Sequence, residues 1–344
     1  MTDKGEQRRN ATLADIAAEL DLHPSTVSRA LDPAKAAMVK APTRRRIVEA
    51  ASRLGYRPNL AAKGLKEGRT ATIAVIAADL GNPWVTPIIH GLTSRMTSSG
   101  SVPVIAETGD DSSNLAALLD HMVARRVDAI VLLAARRADR EIVAATSRLV
   151  PTVVAARPLE DVGVPVVRER SRLGGRLVAE HLAELGHQKV AQLRGPEEVL
   201  NFPNRAEGFS ARASEVGLEE VSTRFVATRP TVDEGARLMD DLLQTGPLPT
   251  AVFAHNDLLA VGAVAALRRG GWSVPDDVSV VGYNDMPLTE HLDPALTTVR
   301  FPGWQVGHEA ATVALSLATG EPRFGDVALD PEFVPRQSTA PPRR

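Results

Sequence analysis

The segment Thr12-Leu-Ala-Asp-Ile-Ala-Ala-Glu-Leu20 and its continuation Asp21-Leu-His-Pro-Ser-Thr-Val-Ser-Arg-Ala-Leu31 contain two short helical patterns separated by a tight turn. The first pattern begins at Thr12, which favours the N-cap position, and an acidic residue follows three positions later as in a capping box. The second begins at Pro24, whose missing N–H costs nothing in the first turn of a helix. The apolar positions at helical spacing are Leu13, Ile16, Ala17 and Leu20 in the first pattern and Val27, Ala30 and Leu31 in the second.

A third helical pattern follows and carries three consecutive arginines, Arg44, Arg45 and Arg46, in its first turn. We predict that Thr43 caps this helix and that Gly55, a natural C-cap, ends it. Positive charge in the first turn opposes the helix dipole, so helix stability does not explain the arginines, whereas contact with phosphate would. Two short helices alone are more simply interpreted as a packed hairpin. Three helices, with a polar second helix and neighbouring arginines, favour insertion of one helix into the DNA major groove.

The charge of the chain is divided unevenly. Residues 1–70 carry 14 of the 40 Lys and Arg residues but only 8 of the 42 Asp and Glu residues, so a basic N-terminal segment precedes an acidic body. A basic segment favours a polyanionic partner, although a solvated basic face explains the charge alone equally well. The chain contains no cysteine, which excludes disulfides, thiolate metal sites and cysteine nucleophiles.

The rest of the chain alternates short apolar runs with helix-length segments such as 173–185 and 234–243. Alternating strand and helix patterns predict an α/β fold with parallel sheets. The spread of the runs over about 270 residues indicates two lobes rather than one. The predicted strands are Thr72–Asp79, Val102–Glu107, Asp128–Ala134, Thr152–Ala156, Lys189–Arg194, Thr223–Ala227, Ala251–Ala254 and Val278–Tyr283.

Polar residues follow several predicted strands at their carboxyl ends, where open α/β sheets bind ligands. Such side chains beside an aromatic ring suit a sugar, because the polar groups pair with hydroxyls and the ring stacks on the C–H face. Trp84 fits a core position as well as a pocket, and Asp257 is better explained as part of a helix cap. The residues at the strand ends are Asp79, Asn82, Trp84, Asn256, Asp257, Asn284 and Asp285.

The combination of Thr12-Leu-Ala-Asp-Ile-Ala17, Pro24-Ser-Thr-Val-Ser-Arg-Ala-Leu31 and Gly55-Tyr-Arg-Pro-Asn59 closely resembles the lactose-repressor/galactose-repressor (LacI/GalR) family. Landmarks in the body extend the resemblance over about residues 10–340, nearly the whole chain. These landmarks are Asn82-Pro-Trp84, Glu184-Leu-Gly-His187, Asn204-Arg-Ala-Glu-Gly-Phe209, His255-Asn-Asp257, Val280-Val-Gly-Tyr-Asn-Asp285 and Leu296-Thr-Thr-Val299.

The resemblance implies an all-α helix-turn-helix DNA-binding head joined to an α/β two-lobed periplasmic-binding-protein-like (type I) core. The expected boundaries are residues 1–58 for the head, 59–70 for a hinge helix or linker and 71–340 for the effector-binding core. Lobe 1 is expected to comprise about 71–160 and 290–324, and lobe 2 about 161–289 and 325–340.

The resemblance also implies which residues bind DNA. The helix that starts near His23 is the recognition helix, and Arg29 on it can donate two hydrogen bonds to a guanine. In the hinge, Leu65 matches a leucine that wedges into the minor groove, beside Lys66. The expected DNA-binding residues are Pro24, Ser25 and Arg29 toward base edges, Thr26 and Ser28 toward phosphates or in packing, and Thr12, Asn59, Leu65 and Lys66.

Arg205 matches an effector contact of the family. The chain departs from the family pattern at Ala156-Arg157 and at Arg170-Ser171, where many relatives carry Asp-Arg and Asp-Asn, and at Asn284, where an acid is common. Because these acids are absent, the sequence is compatible with three classes of effector: an unusual sugar, a phosphorylated or acidic sugar, or a different kind of molecule. His23 replaces the usual Ser or Thr cap, which leaves its role open. The expected effector-binding residues are Asp79, Trp84, Asn201, Phe202, Arg205, Asn256, Asn284 and Asp285.

No motif of a known enzyme class is present: the sequence has no Gly-x-Ser-x-Gly, Gly-x-Gly-x-x-Gly, Walker loop or His-Glu-x-x-His. We therefore expect no catalysis, no metal and no cofactor. A periplasmic solute-binding protein is the alternative, disfavoured by the head and by the polar start, residues 1–10, which lacks the apolar core of a signal peptide. The resemblance implies a cytoplasmic homodimer that binds a near-palindromic double-stranded DNA operator and represses a carbohydrate-uptake or catabolic operon, switched by a small-molecule effector, a sugar or sugar derivative.

Overall fold

The computed structural model describes residues 11–32, 35–57, 69–221, 224–321 and 325–343. The chain divides into two compact units between Thr70 and Ala71. Asn59, Leu65 and Lys66, and with them most of the expected hinge, lie outside the described residues. Within the described ranges, no helix is both long enough and apolar enough to cross a membrane.

The N-terminal unit contains three α-helices: α1 (Leu13–Leu20), α2 (Pro24–Leu31) and α3 (Ala41–Arg53). The predicted capping box is present at the start of α1, where the Asp15 N–H donates to Thr12 Oγ1 and the Thr12 N–H donates to Asp15 Oδ2. The three helices enclose a small apolar core whose members follow helical spacing. The buried residues of this core are Ile16, Ala17, Val27, Ala30, Ile47, Ala50 and Ala51.

Helix α3 begins at Ala41, earlier than predicted, so the prediction that Thr43 caps it is wrong. Pro42 occupies the first turn, where a proline loses no hydrogen bond, and it starts the helix without a side-chain cap from Lys40. The C-terminal end agrees with the prediction, because Gly55 follows the helix with a φ of 64°, the left-handed conformation that glycine adopts readily.

The C-terminal unit alternates strands and helices, as the sequence predicts. The strands are β1 (Thr72–Ala77), β2 (Val102–Glu107), β3 (Ala129–Leu132), β4 (Thr152–Ala155), β5 (Val166–Glu169), β6 (Lys189–Leu193), β7 (Glu219–Glu220), β8 (Ala251–Ala254), β9 (Ser279–Val281), β10 (Thr298–Arg300), β11 (Val327–Leu329) and β12 (Glu332–Val334). The helices are α4 (Val85–Ser98), α5 (Ser112–Ala124), α6 (Arg140–Thr146), α7 (Ser171–Glu184), α8 (Asn201–Val216), α9 (Val232–Leu243), α10 (Asp257–Arg269) and α11 (Gly303–Ala318).

Two parallel sheets form the two lobes of this unit. The first has the strand order β11-β5-β4-β3-β1-β2, with α4 and α11 packed on one face and α5 and α6 on the other. The second has the order β7-β6-β8-β9, with α7 and α8 on one face and α9 and α10 on the other. Strands β10 and β12 form a separate antiparallel pair. Helices on both faces explain why the central strands β1, β3, β4 and β8 are buried and almost continuously apolar.

Three segments lie in a different lobe from the one predicted. Strand β5 pairs with β4 and β11 pairs with β5, so both belong to the first sheet rather than to lobe 2. The segment that contains β10 is bridged to the end of β9 through Val281 with Thr297 and Asn284 with Arg300, which attaches it to the second sheet rather than to lobe 1. The chain therefore crosses between the lobes after β5, after β10 and after β11. Membership of a sheet depends on the pairing partner, which a short apolar run does not specify.

The predicted strand Thr223–Ala227 is also corrected. In the described part of that segment, only Val226 forms a bridge, with Arg194, and the edge position of the second sheet is taken by β7 beside β6. Strands β5, β7, β10, β11 and β12 also have no counterpart among the predicted strands.

Two glycines allow α4 and α11 to cross at close range in the first lobe. A Cβ atom on Gly91 would lie 2.1 Å from the carbonyl oxygen of Trp304, and one on Gly307 would lie 2.0 Å from that of Ile88. Because backbone atoms cannot yield as a flexible side chain does, any larger residue separates the helices.

We therefore predict that Gly307→Ala lowers the free energy of unfolding by at least about 1–3 kcal/mol, because the added methyl group overpacks the crossing. Urea unfolding followed by circular dichroism measures the change. Gly325→Ala is the matched control, since a Cβ atom at Gly325 meets nothing within 4 Å. Equal stabilities of the two variants would show that the helices do not depend on this contact.

Candidate DNA-binding helix and effector cavity

One face of α2 is polar and exposed. Pro24, Ser25 and Arg29 are exposed, whereas Val27 and Ala30 on the opposite side are buried in the core of the N-terminal unit. In the described part of the chain, no carboxylate forms an ion pair with Arg29. The amphipathic pattern therefore determines which face of α2 is exposed to solvent. The guanidinium group of Arg29 on that face is available for a ligand.

His23 caps α2. Its Nδ1 atom accepts a hydrogen bond from the Ser25 N–H at 3.2 Å and lies 2.8 Å from Ser25 Oγ. The imidazole therefore replaces the serine or threonine usual in the family as the acceptor for the first turn, which answers the question left open by the sequence.

The other described DNA-binding candidates of the head differ in how free their side chains are. The Thr12 hydroxyl is engaged with Asp15 in the capping box. Thr26 and Ser28 are half-buried, which fits a role in packing or at the edge of an interface. Arg44, Arg45 and Arg46 are exposed near the start of α3, but only Arg44 lies in its first turn, because the helix begins at Ala41. We expect phosphate contacts to orient the head without selecting a base sequence.

A cavity in the C-terminal unit gathers residues from the strand ends of both lobes. Most of the predicted effector residues line it, namely Trp84, Asn201, Phe202, Arg205, Asn256 and Asn284. Its volume is about 20 Å³, close to the space needed for one water molecule. The full lining of this cavity, called the effector cavity below, is Asn82, Trp84, Arg157, Val199, Asn201, Phe202, Arg205, Pro230, Asn256 and Asn284.

Two predicted effector residues, Asp79 and Asp285, do not line the effector cavity. Asp79 accepts a hydrogen bond from the Gly81 N–H at 2.8 Å and shapes the turn after β1. The Asp285 carboxylate is held by Arg300 at 2.8 Å and Arg336 at 2.7 Å. Burial opposes ionisation of Asp285, but the hydrogen bonds from these arginines outweigh it and hold the pKa of that carboxyl below its usual value. Strand-end position alone does not distinguish a ligand contact from a turn or an ion pair.

Asp285 instead borders a second cavity of about 320 Å³, whose lining also includes Trp84 and Asn284. Trp84 packs edge-on against Phe301, with ring centroids 5.3 Å apart, and it also lines the effector cavity. Both interpretations of Trp84 therefore hold, since one side of the ring belongs to the core and another borders the cavities.

Arg205 is the central polar group of the effector cavity. Its Nη1 atom donates to the His255 carbonyl at 2.5 Å and its Nη2 atom donates to Asn284 Oδ1 at 3.4 Å. The guanidinium carbon lies 3.6 Å from the centroid of the Tyr283 ring and 5.4 Å from that of Phe202. These contacts fix the position of Arg205 between α8 and the ends of β8 and β9.

Two asparagines of the cavity have different roles. Asn256 caps α10, because its Oδ1 atom accepts from the Leu259 N–H at 2.8 Å and its Nδ2 atom donates to the Pro230 carbonyl at 3.2 Å. Asn201 donates from Nδ2 to the Ala156 carbonyl of the first lobe at 2.9 Å, while its Oδ1 atom is buried without a partner. Asn201 thus joins the lobes and offers one free acceptor.

His255 lies behind Arg205 and is fully buried. Burial first, and then the charges of Arg205 and Arg194, lower the pKa of His255 well below its usual value, so the ring is neutral. Its Nδ1 atom accepts from the Gly195 N–H at 3.4 Å, and its Nε2 atom therefore donates to Gln192 Oε1 at 2.8 Å. The ring orients neighbouring groups and adds no charge to the cavity.

The comparisons with known proteins agree with this architecture. The sequence profile of the periplasmic binding protein-like domain matches residues 179–339. The HTH-type transcriptional regulator CelR of Thermobifida fusca is 32% identical over 92% of this chain and 94% of its own length. The chain belongs to the LacI family.

Solved structures of the LacI family give the same result for nearly the whole chain. The Lac repressor dimer bound to operator and the anti-inducer ONPF is similar with a TM-score of 0.86 and 26% identity, over 96% of this chain and 100% of that one. The transcriptional regulator CelR–cellobiose complex is similar with a TM-score of 0.72 and 29% identity, over 96% and 100%. The protein is thus a DNA-binding transcription regulator with a small-molecule effector, and not an enzyme.

Sequence reasoning missed Val199, Pro230 and Arg157 as members of the cavity lining. Arg157 belongs to the Ala156-Arg157 departure from the LacI pattern, and that departure is the sequence signal that could have indicated its place in the cavity. Val199 and Pro230 carry none, because apolar residues in loops have no distinctive spacing. Only the fold brings them to the cavity.

Asp257 is buried beside the effector cavity and has a structural role at the start of α10. Its carboxylate accepts from Thr298 Oγ1 at 2.6 Å and from the Met286 N–H at 2.8 Å. Burial raises the pKa of Asp257 from 3.8 to about 6 despite these bonds. The folded state therefore loses stability as the pH rises between about 4 and 6, because the ionised carboxylate is less stable in this buried position than in the unfolded chain.

We predict that Asp257→Asn removes this decrease in the stability of the folded state at rising pH. An asparagine can still accept from the Met286 N–H and can donate to Thr298 Oγ1, so the variant gains stability relative to the native chain as the pH rises, by roughly 1–3 kcal/mol in total. Urea unfolding at several pH values measures the difference. Asp120→Asn, at an exposed position on α5, is the control, and a difference for Asp257→Asn that does not change with pH contradicts the prediction.

Proposed function

We propose that the protein is a cytoplasmic homodimer that represses a carbohydrate-uptake or catabolic operon. Two heads, residues 1–58 of each chain, read the halves of a near-palindromic operator. The hinges, residues 59–70, meet at its centre, where Leu65 enters the minor groove beside Lys66. The Lac repressor, a dimer on its operator in the solved structure, supports this arrangement.

The observation that carries the proposal is the exposed polar face of α2. Arg29 is exposed without an ion-pair partner in the described part of the chain, on a helix whose other face is fixed by burial of Val27 and Ala30. A guanidinium on such a helix can donate to the O6 and N7 atoms of a guanine in the major groove. Arg44, Arg45 and Arg46 then supply contacts with the phosphate backbone.

The effector is a sugar or sugar derivative that binds in the effector cavity. Polar side chains and the Trp84 ring there suit hydroxyls and a C–H face, and the similar CelR forms a complex with cellobiose. The cavity has room for about one water molecule, so a larger ligand enters only when the lobes separate.

A ligand that binds one arrangement of the lobes better than another shifts the population toward that arrangement. If the operator is bound preferentially by the other arrangement, the ligand releases DNA. A differential affinity of about 100-fold, equivalent to about 2.7 kcal/mol, gives a switch of useful size.

To test the proposal, genomic fragments retained by the purified protein at moderate salt are sequenced, and the motif is compared for the native chain and Arg29→Ala. We expect one enriched palindrome for the native chain. Arg29→Ala should weaken specific binding by about 1–3 kcal/mol and relax base preference at one position of each half-site.

Arg44→Ala is the matched control, because a lost phosphate contact weakens binding to all sequences and lowers its salt dependence without changing the motif. Salt-sensitive retention with no shared motif in the native chain contradicts the proposed function. An unchanged motif with Arg29→Ala moves base recognition away from this face of α2.

A further inference from the structure

The charges around the effector cavity indicate the chemical class of its ligand, and this inference rests on the proposed function of the cavity as an effector site. We infer that the ligand is a small hydroxylated anion, whose carboxylate or phosphate group binds the guanidinium group of Arg205 with Arg157 as a second cationic group nearby. A sugar acid or a sugar phosphate has this chemistry, whereas a neutral sugar lacks it.

Arg205 is a buried cation with neutral hydrogen-bond partners. Arg205 is only 3% exposed. Its terminal nitrogens donate to the backbone carbonyl of His255 and to the amide oxygen of Asn284. In the described ranges, no carboxylate is within ion-pair distance of it. Because an uncompensated buried charge is costly, an anionic ligand stabilises this site more than a neutral one does.

The geometry of the Arg205 guanidinium leaves one edge for such a ligand. The Nε atom is buried without a hydrogen-bond partner, and the adjacent Nη2 atom makes a long contact of 3.4 Å with Asn284 Oδ1. Nε and Nη2 donate in parallel directions, which matches two oxygens of a carboxylate or a phosphate.

The acceptors of the cavity explain why the ligand also carries a hydroxyl group. The amide oxygen of Asn256 is taken by the Leu259 N–H and that of Asn284 by Arg205, whereas Asn201 Oδ1 is buried without a partner. A buried acceptor of this kind requires a donor, and a ligand hydroxyl provides one.

A second cationic group borders the cavity. Arg157 lines it and is paired with Asp110 at 2.7 Å, but the same carboxylate also pairs with Arg136 at 2.7 Å. Asp139 and Glu198 also act electrostatically on Arg136, so Arg136 does not depend on Asp110 alone, and Arg157 remains a cationic group at the edge of the cavity. Ala156, directly before Arg157, replaces the aspartate of the Asp-Arg pair that many relatives carry.

The buried carboxylate of Glu169 does not form an ion pair with Arg205. It accepts hydrogen bonds from Ser171 Oγ at 2.6 Å and from the Tyr283 hydroxyl, so it reaches the phenol and not Arg205. No Asp or Glu residue lines the effector cavity itself.

The test is isothermal titration calorimetry on the full-length protein at constant ionic strength with glucose, gluconate, glucose 6-phosphate and inorganic phosphate. We expect at least one of the anions to bind at least about tenfold more tightly than glucose, a difference of about 1.4 kcal/mol. Tighter binding of gluconate identifies a carboxylate ligand, and tighter binding of the phosphates identifies a phosphorylated one.

Arg205→Met keeps an unbranched chain as far as the position of Nε and removes the charged guanidinium group, and we expect it to reduce anion affinity to that of glucose. Arg140→Met, at an exposed position on α6, is the control for non-specific attraction and should leave anion binding unchanged. Any one of three results overturns the inference: glucose binds as tightly as the anions, anion binding survives Arg205→Met, or none of the probes binds. Operator retention by the same preparation tests the proposed function separately, since it does not depend on the charge of the effector.

Discussion

The buried guanidinium group of Arg205 connects the parts of the molecule on which ligand binding depends. It extends from α8, lies 3.6 Å from the centroid of the Tyr283 ring and donates to the backbone at the end of β8. Asn201, at the start of the same helix, donates to the Ala156 carbonyl of the first lobe. A ligand that pairs with Arg205 therefore acts on the helix that also holds the lobes together, which provides a physical route from binding to the arrangement of the lobes.

The division of the core into two sheets allows a bound ligand to change the arrangement of the lobes. Each lobe has its own apolar core, and the chain passes between them after β5, β10 and β11. Since each lobe is close-packed, a ligand changes the contacts between the lobes more easily than the packing within them. Linkage to DNA then requires only that the operator favour one arrangement.

The sequence predicts the parts of this account that depend on local pattern. The capping box at Thr12, the buried face of α2 and the placement of Arg205 in a cavity follow from spacing and from the resemblance to the LacI family. Contacts between distant parts of the chain could not be predicted from the sequence. No local pattern assigns β5 to the first sheet. Nothing in the sequence shows that the Asp285 carboxylate forms ion pairs with Arg300 and Arg336. The role of His23 as a helix cap was likewise decided by geometry and not by residue type.

The central claim, that the arrangement of the lobes sets operator affinity, is tested most directly by a disulfide across the cleft. The Arg137 N–H of the first lobe donates to the Glu198 carbonyl of the second at 2.8 Å, so cysteines at these exposed positions lie within reach of one another, and the native chain has no cysteine to interfere. For Arg137→Cys/Glu198→Cys we predict that oxidation changes operator affinity by about tenfold or more and that reduction restores it. Equal operator affinity in the oxidised and reduced forms, with the disulfide verified, would contradict the account.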